Sequence, residues 1–148
     1  MSQLLPWNES ISKTKLLKRK SESSFWKQLK RAIQKNRPQW RPVRLESSAS
    51  QGIPDVLIAA EGQFAMWELK VTHANAVRIS PHQIAFAESH RKYPVWFLVC
   101  CANPEGETIK AYHASSVRQL AKLGVKYPAQ LEITPPDWTP LLDLIITS

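Results

Sequence analysis

Two acids and a lysine sit inside an otherwise apolar stretch of this 148-residue chain, "GIPDVLIAAEGQFAMWELK" at residues 52–70: Asp55, Glu68 and Lys70. Glu61–Gly62 reads as a two-residue hairpin turn between two strands. Residues 60 and 63 then face one another, and the register carries Asp55 opposite Glu68 with Cβ atoms about 5 Å apart. Lys70, two residues further on, projects from the same face as Glu68. Like charges opposed in a sheet destabilise it. A partly buried carboxylate pair therefore shares a proton or binds a cation. Hard oxygens at this separation suit Mg2+, with Mn2+ able to substitute, completed by water, a backbone carbonyl and a phosphate oxygen. A lysine alongside can hold an attacking water or stabilise charge on a pentacovalent phosphate. That chemistry is metal-assisted phosphodiester hydrolysis. The plainer alternative is that Asp55 merely starts a strand after Pro54 and Glu68 pairs with Lys70 on a wet face. A slip of one residue in the turn would send the two acids to opposite faces.

The elements around this hairpin must hold it still. "SESSFWKQLKRAIQKN" (21–36) has the pattern of an amphipathic helix. Phe25, Trp26, Leu29, Ala32 and Ile33 share one face, Ser21 is placed to cap it, and Asn36–Arg37–Pro38 ends it. "WRPVRLE" (40–46) is a short strand, at an edge because of Pro42. "PDVLIAA" and "QFAMWELKV" are the two arms of the hairpin. "SPHQ" (80–83) opens a second helix with three signals together: a capping Ser80, Pro81 at the first helical position and Gln83 completing a capping box. An apolar strand, "YPVWFLVCC", follows, then a turn at "NPEGE", a strand "TIKAYH", and a helix "SSVRQLAKLG" with Ser116 and Gln119 as a second capping box and Gly124 as its stop. The proline-bearing segment 128–148 reads as a mostly irregular tail, with "PLLDLII" packing onto the domain as a terminal helix or strand. The fold class is α/β, a sheet core flanked by helices. Three parts are expected: a basic arm (1–20), a domain (21–127) and the tail (128–148).

Asp55 followed by Glu68-Leu69-Lys70 resembles the PD-(D/E)xK nuclease superfamily, in the spaced form Pro54-Asp55…Glu68-x-Lys70. With "GIPDVLI" before a turn, "MWELK" after it and "SPHQ" at a helix start, the pattern is similar to the VRR-NUC branch and to archaeal-type Holliday junction resolvases, many of which are small and encoded by phages or mobile elements. The resemblance spans about Glu22 to Cys101. It implies a restriction-endonuclease-like αβββαβ core, an Mg2+-dependent endodeoxyribonuclease, and DNA, branched or duplex, as substrate. It implies Asp55 and Glu68 as metal ligands with the Leu69 carbonyl, and Lys70 as the catalytic lysine. Gln83 matches a glutamine common near such sites, although a helix cap alone would also explain it. Glu22 matches an acid that often completes the metal site; Glu46 competes for that place, and a first-turn acid facing the helix dipole is the simpler account of Glu22. His82 reads as a surface residue.

Charge points the same way. The chain carries +8, but residues 1–44 hold twelve Lys/Arg against two acids, a net of +10, while residues 45–148 hold eight against ten. Such asymmetry suits a polyanion, nucleic acid before an anionic membrane. Lys18, Arg19 and Lys20 in the arm, Lys27 and Arg31 on the first helix, and Arg44 and Arg78 near the hairpin are the candidate phosphate contacts. A four-way junction cut symmetrically would require a homodimer, with exposed tryptophans and the apolar tail as its interface. The longest apolar run, Val95–Ala102, is far short of the about 20 residues that span a bilayer, and the first residues do not form a secretory signal, so an intracellular, cytoplasmic protein without a membrane partner is expected. Cys100 and Cys101 read as reduced core residues. The alternative function is a DNA-binding protein of the same fold without catalysis.

Overall fold

The hairpin turn has the backbone its residues require. In the computed structural model, which describes residues 19–45 and 51–148, Glu61 (φ 53°) and Gly62 (φ 75°) both lie in the left-handed region. That is the conformation of a type I′ turn, whose twist matches that of the strands it joins. The strands are β2 (Val56–Ala60) and β3 (Gln63–Thr72). They pair antiparallel with Ala60 opposite Gln63 and Val56 opposite Trp67, the expected register.

These strands sit in a six-stranded mixed sheet of sequential order: β1 (Arg41–Arg44), β2, β3, β4 (Val95–Asn103), β5 (Gly106–His113) and β6 (Leu131–Ile133). Only β3 and β4 are parallel, with Glu68 beside Phe97 and Lys70 beside Val99. A parallel neighbour needs a crossover, supplied here by the helix α2 (Pro81–Ser89). β1 is an edge strand, so Pro42 forfeits no ladder donor on its outer side.

Helices cover both faces. One core holds α1 (Glu22–Asn36) and α4 (Thr139–Leu144) against Val56, Ile58, Ala65, Trp67 and Leu69. The other holds α2 and α3 (Val117–Leu123) against Val95, Phe97, Val99 and Tyr112. α1 buries the five residues its periodicity singles out, with Phe25 and Leu29 fully enclosed. Each such side chain contributes about 1.5–3 kcal/mol. Because side chains alternate along a strand, Met66, Glu68 and Lys70 are left on the α2 face. Helices at both faces and apolar residues on both sides of β4 make the layering α/β/α.

Three expectations are corrected. Ser116 makes no capping hydrogen bond to α3. The chain enters α3 through a 3-10 turn, Ala114–Ser116, capped by His113, whose Nδ1 accepts from the Ser115 N–H, while Ser116 Oγ accepts from Gln130. The segment after Tyr127 also holds an unexpected strand, β6, which completes the sheet; the "PLLDLII" segment packs as a helix, α4, that buries Leu141 and Leu142. Indole N–H groups tie the last residues down, Trp67 to the Ile145 carbonyl (2.9 Å) and Trp96 to that of Thr147 (2.8 Å). The described tryptophans, Trp26, Trp40, Trp67, Trp96 and Trp138, are all buried, as are Leu141, Leu142 and Ile145 of the tail, so these side chains do not form an exposed apolar dimer surface. Cys100 and Cys101 are free thiols, and burial pushes Cys100 up to about 12. No helix among the described residues is long and apolar enough to cross a membrane. The first eighteen residues, with Lys18, and the segment 46–50, with Glu46, lie outside the described residues.

Candidate active site

β2 begins at Val56, directly after Asp55, so its ladder with β3 stops at the Val56–Trp67 pair, and this break creates the site. Past Trp67, β3 remains paired with β4 but has no neighbour on its β2 side, so the next backbone donor on that side, the Leu69 N–H, has no strand partner. The Asp55 carboxylate replaces it, accepting from Leu69 N at 2.9 Å through Oδ2. A strand residue turns its N–H and C=O to the same side, so the Leu69 carbonyl also faces Asp55. Asp55 is thereby fixed opposite Glu68.

The loop that delivers Asp55 has little room. Gly52 has φ +87°, and a Cβ there would lie 2.4 Å from the His82 carbonyl oxygen. Only glycine allows the loop to lie against the start of α2. His82 itself is exposed, as expected of a surface histidine.

Glu68 is only 3% exposed. Burial, reinforced by the neighbouring charge of Asp55, pushes its carboxyl up to about 8, and Lys70 opposes the rise. The Lys70 ammonium lies 3.6 Å from Glu68 Oε2. Both are held by one side chain from α2. Gln83 donates through Nε2 to Glu68 Oε2 (3.0 Å) and accepts through Oε1 from Lys70 Nζ (3.1 Å). The same Oε1 accepts from the Ser80 N–H (3.0 Å), and Ser80 Oγ accepts from the Gln83 N–H (3.2 Å). Two donors on one side and a carboxylate on the other fix which way the amide points. The helix cap and the contact with the acids, alternatives in the sequence, are made together.

Glu22, on the exposed first turn of α1, reaches the rim of this site. Partial desolvation holds its carboxyl above the ordinary value, with Lys70 and Arg44 pulling down and Asp55 pushing up. It lines a cleft of about 310 Å³ together with Lys70, Val71, Arg78, Ser80 and Gln83. Through Glu22, Val71 and Arg78 the cleft opens into a broader groove of about 760 Å³ that reaches Arg19 and His73. His73 has no signature in the sequence; only the path of the chain after β3 puts it there.

The basic residues divide. Arg19, Arg44 and Arg78 come to the cleft or its rim. Lys27 and Arg31 are exposed on the outer side of α1, across the sheet from the acids. Lys20, expected as a phosphate contact, pairs with Glu107 at 3.0 Å and donates to Gln28.

The donor set is compatible with a hard divalent cation: two opposed carboxyl groups whose mutual crowding a cation would relieve, and a carbonyl turned to the same side. No group of three His, Cys, Asp or Glu side chains at ligating distance occurs among the described residues, so the remaining donors there would be carbonyl, water and substrate oxygens. No protein-family model, curated protein or solved structure matches the chain.

Proposed function

We propose that the protein is a metal-dependent DNA endonuclease of the PD-(D/E)xK type, with the order α1-β1-β2-β3-α2-β4 as its restriction-endonuclease-like core. The observation that carries this reading is the Asp55–Glu68–Lys70 group on one sheet face, locked by Gln83. Two carboxylates that crowd one another in a buried setting are stable when a cation sits between them or a proton does. Asp55, Glu68 and the Leu69 carbonyl would hold Mg2+, which supplies Lewis acidity and a water of lowered pKa. Lys70, restrained in the cleft by Gln83, would stabilise charge on the scissile phosphate and orient the incoming water. Arg78 and Arg44 flank the cleft and would position the phosphate, and Arg19 would hold the backbone along the groove. Glu22 at the rim would act on a water bound near the acids.

The substrate is DNA, with branched forms such as the Holliday junction preferred over plain duplex. A symmetric pair of cuts in a junction would take two copies of the chain. A panel of labelled linear and branched DNAs incubated with Mg2+, Mn2+ or EDTA tests the reading. Endonucleolytic products that need the metal are expected. Binding without cleavage on every substrate would leave the alternative, a DNA-binding protein of this fold without catalysis.

A further inference from the structure

Among the described residues four large apolar side chains stand out in water, and the two aromatic ones lie at one end of the sheet. Phe64 is 66% exposed and Tyr93 is 60% exposed. Phe64 precedes Met66 by two residues, and Tyr93 precedes Val95 by two; Met66 and Val95 begin the parallel pairing of β3 with β4, and the Met66 N–H donates to the Pro94 carbonyl (3.0 Å). Alternation along β3 puts Phe64 on the α2 face, the face of Glu68 and Lys70. Tyr93 is on that side too, its ring 6.2 Å from His90 at the end of α2, and His90 stacks in turn on Phe86 at 3.9 Å. Phe64 is four residues from Glu68 along one strand, so about 13 Å away.

An apolar patch in water marks a docking surface, and the surroundings select the occupant. Arg41 lies in the same cross-strand row as Ala59 and Phe64, and Arg91 and Lys92 directly precede Tyr93. All three are exposed, and none enters an ion pair among the described residues. Exposed rings among exposed cations outside any ion pair form a surface for bases that have left the duplex, stacking on the rings while the cations track the phosphates. We infer that Phe64 and Tyr93 are a stacking platform for unpaired bases of the strand that enters the cleft, a few nucleotides from the scissile phosphate. Paired DNA keeps its bases stacked on one another and cannot use the platform. The protein therefore prefers DNA with a single-stranded arm or an opened branch point. This inference rests on the nuclease reading for its account of selectivity, though not for binding.

The experiment compares wild type with Phe64→Ala/Tyr93→Ala and with Phe64→Leu. Binding of an oligothymidine, a splayed-arm DNA and a fully paired duplex is measured by fluorescence anisotropy in EDTA, so that cleavage plays no part. Folding is checked by thermal melting and oligomeric state by sedimentation. The double variant should lose roughly ten-fold or more in affinity for the first two probes and little for the duplex. Phe64→Leu, which keeps an apolar side chain without a ring face, should also weaken them. Equal affinities for all three probes in wild type and variants would overturn the platform. A shift from dimer to monomer in the double variant, with single-strand affinity intact, would overturn it in favour of an interface with a second copy. The two readings can fail separately. Ring-dependent single-strand binding without cleavage in Mg2+ retains the platform and rejects the nuclease; cleavage indifferent to both rings does the reverse.

Discussion

Gln83 Nε2 donates to Glu68 Oε2 at 3.0 Å, joining the first turn of α2 to the centre of β3 across the two elements that make the cleft. The other end of the same amide receives the Lys70 ammonium, so one side chain holds an acid and a base on the same strand at a fixed separation. Gln83→Ala removes both of these hydrogen bonds and the one accepted from the Ser80 N–H, and leaves Ser80 Oγ free to cap residue 83 as before. The expected result is a loss of 10- to 100-fold in cleavage rate, typical of groups that orient a metal site. DNA affinity should hold, and the melting temperature should drop by about 3 °C or less. Single-turnover cleavage with parallel binding and melting curves checks this.

The Glu68 carboxyl, pushed up to about 8 by burial and by Asp55, makes metal-free stability depend on pH. Between its unfolded value near 4.5 and about 8, the folded protein binds more protons than the unfolded chain. Stability therefore falls as pH rises through that window and levels off above it. Each unit of difference is worth about 1.4 kcal/mol. Melting in EDTA from pH 5 to pH 8.5 should show the decline. Glu68→Gln, neutral throughout, should flatten it, and Mg2+ should offset it in the wild type at high pH.

Gly52 and Gly62 both have positive φ, but only Gly52 is crowded. Gly62→Ala should cost about 1 kcal/mol for the conformation and leave cleavage unchanged. Gly52→Ala adds a clash with the His82 carbonyl. It should lower the melting temperature by about 4–8 °C and displace the loop that carries Asp55. The checks are melting curves for both variants and their cleavage rates; equal effects would remove the structural role assigned to the Gly52 loop.

The hairpin was legible because Gly62 and the alternation on either side leave a two-residue turn as the simplest reading, and that register puts Asp55 opposite Glu68. The helix start at Ser80–Gln83 was legible for a similar reason, since capping residues act within one turn of chain. Other parts depended on contacts between distant segments. β6 has three residues between prolines, too few to show a period, and it exists because β5 offers it an edge. Ser116 carries a capping sequence, but His113 takes the cap one turn earlier. Lys20 belongs to a basic run, yet Glu107, on another strand, neutralises it. The platform at Phe64 and Tyr93 joins residues 29 apart in the chain, which only the pairing of β3 with β4 brings together.

Lys27 and Arg31 on the outer side of α1 are proposed to meet DNA phosphates remote from the acids. Lys27→Ala/Arg31→Ala should weaken DNA binding evenly across sequences. Each cation removed from a phosphate should reduce the slope of log affinity against log salt by about 1. Titrations at several salt concentrations check it, and an unchanged slope would take α1 out of the DNA interface.

The most direct test of the site is cleavage against binding in Asp55→Asn, Glu68→Gln and Lys70→Ala, each assayed on a branched DNA in Mg2+ and for affinity in EDTA. All three should lose cleavage by at least about 1,000-fold while binding within a few-fold of wild type. Cleavage at the wild-type rate in all three would contradict the account.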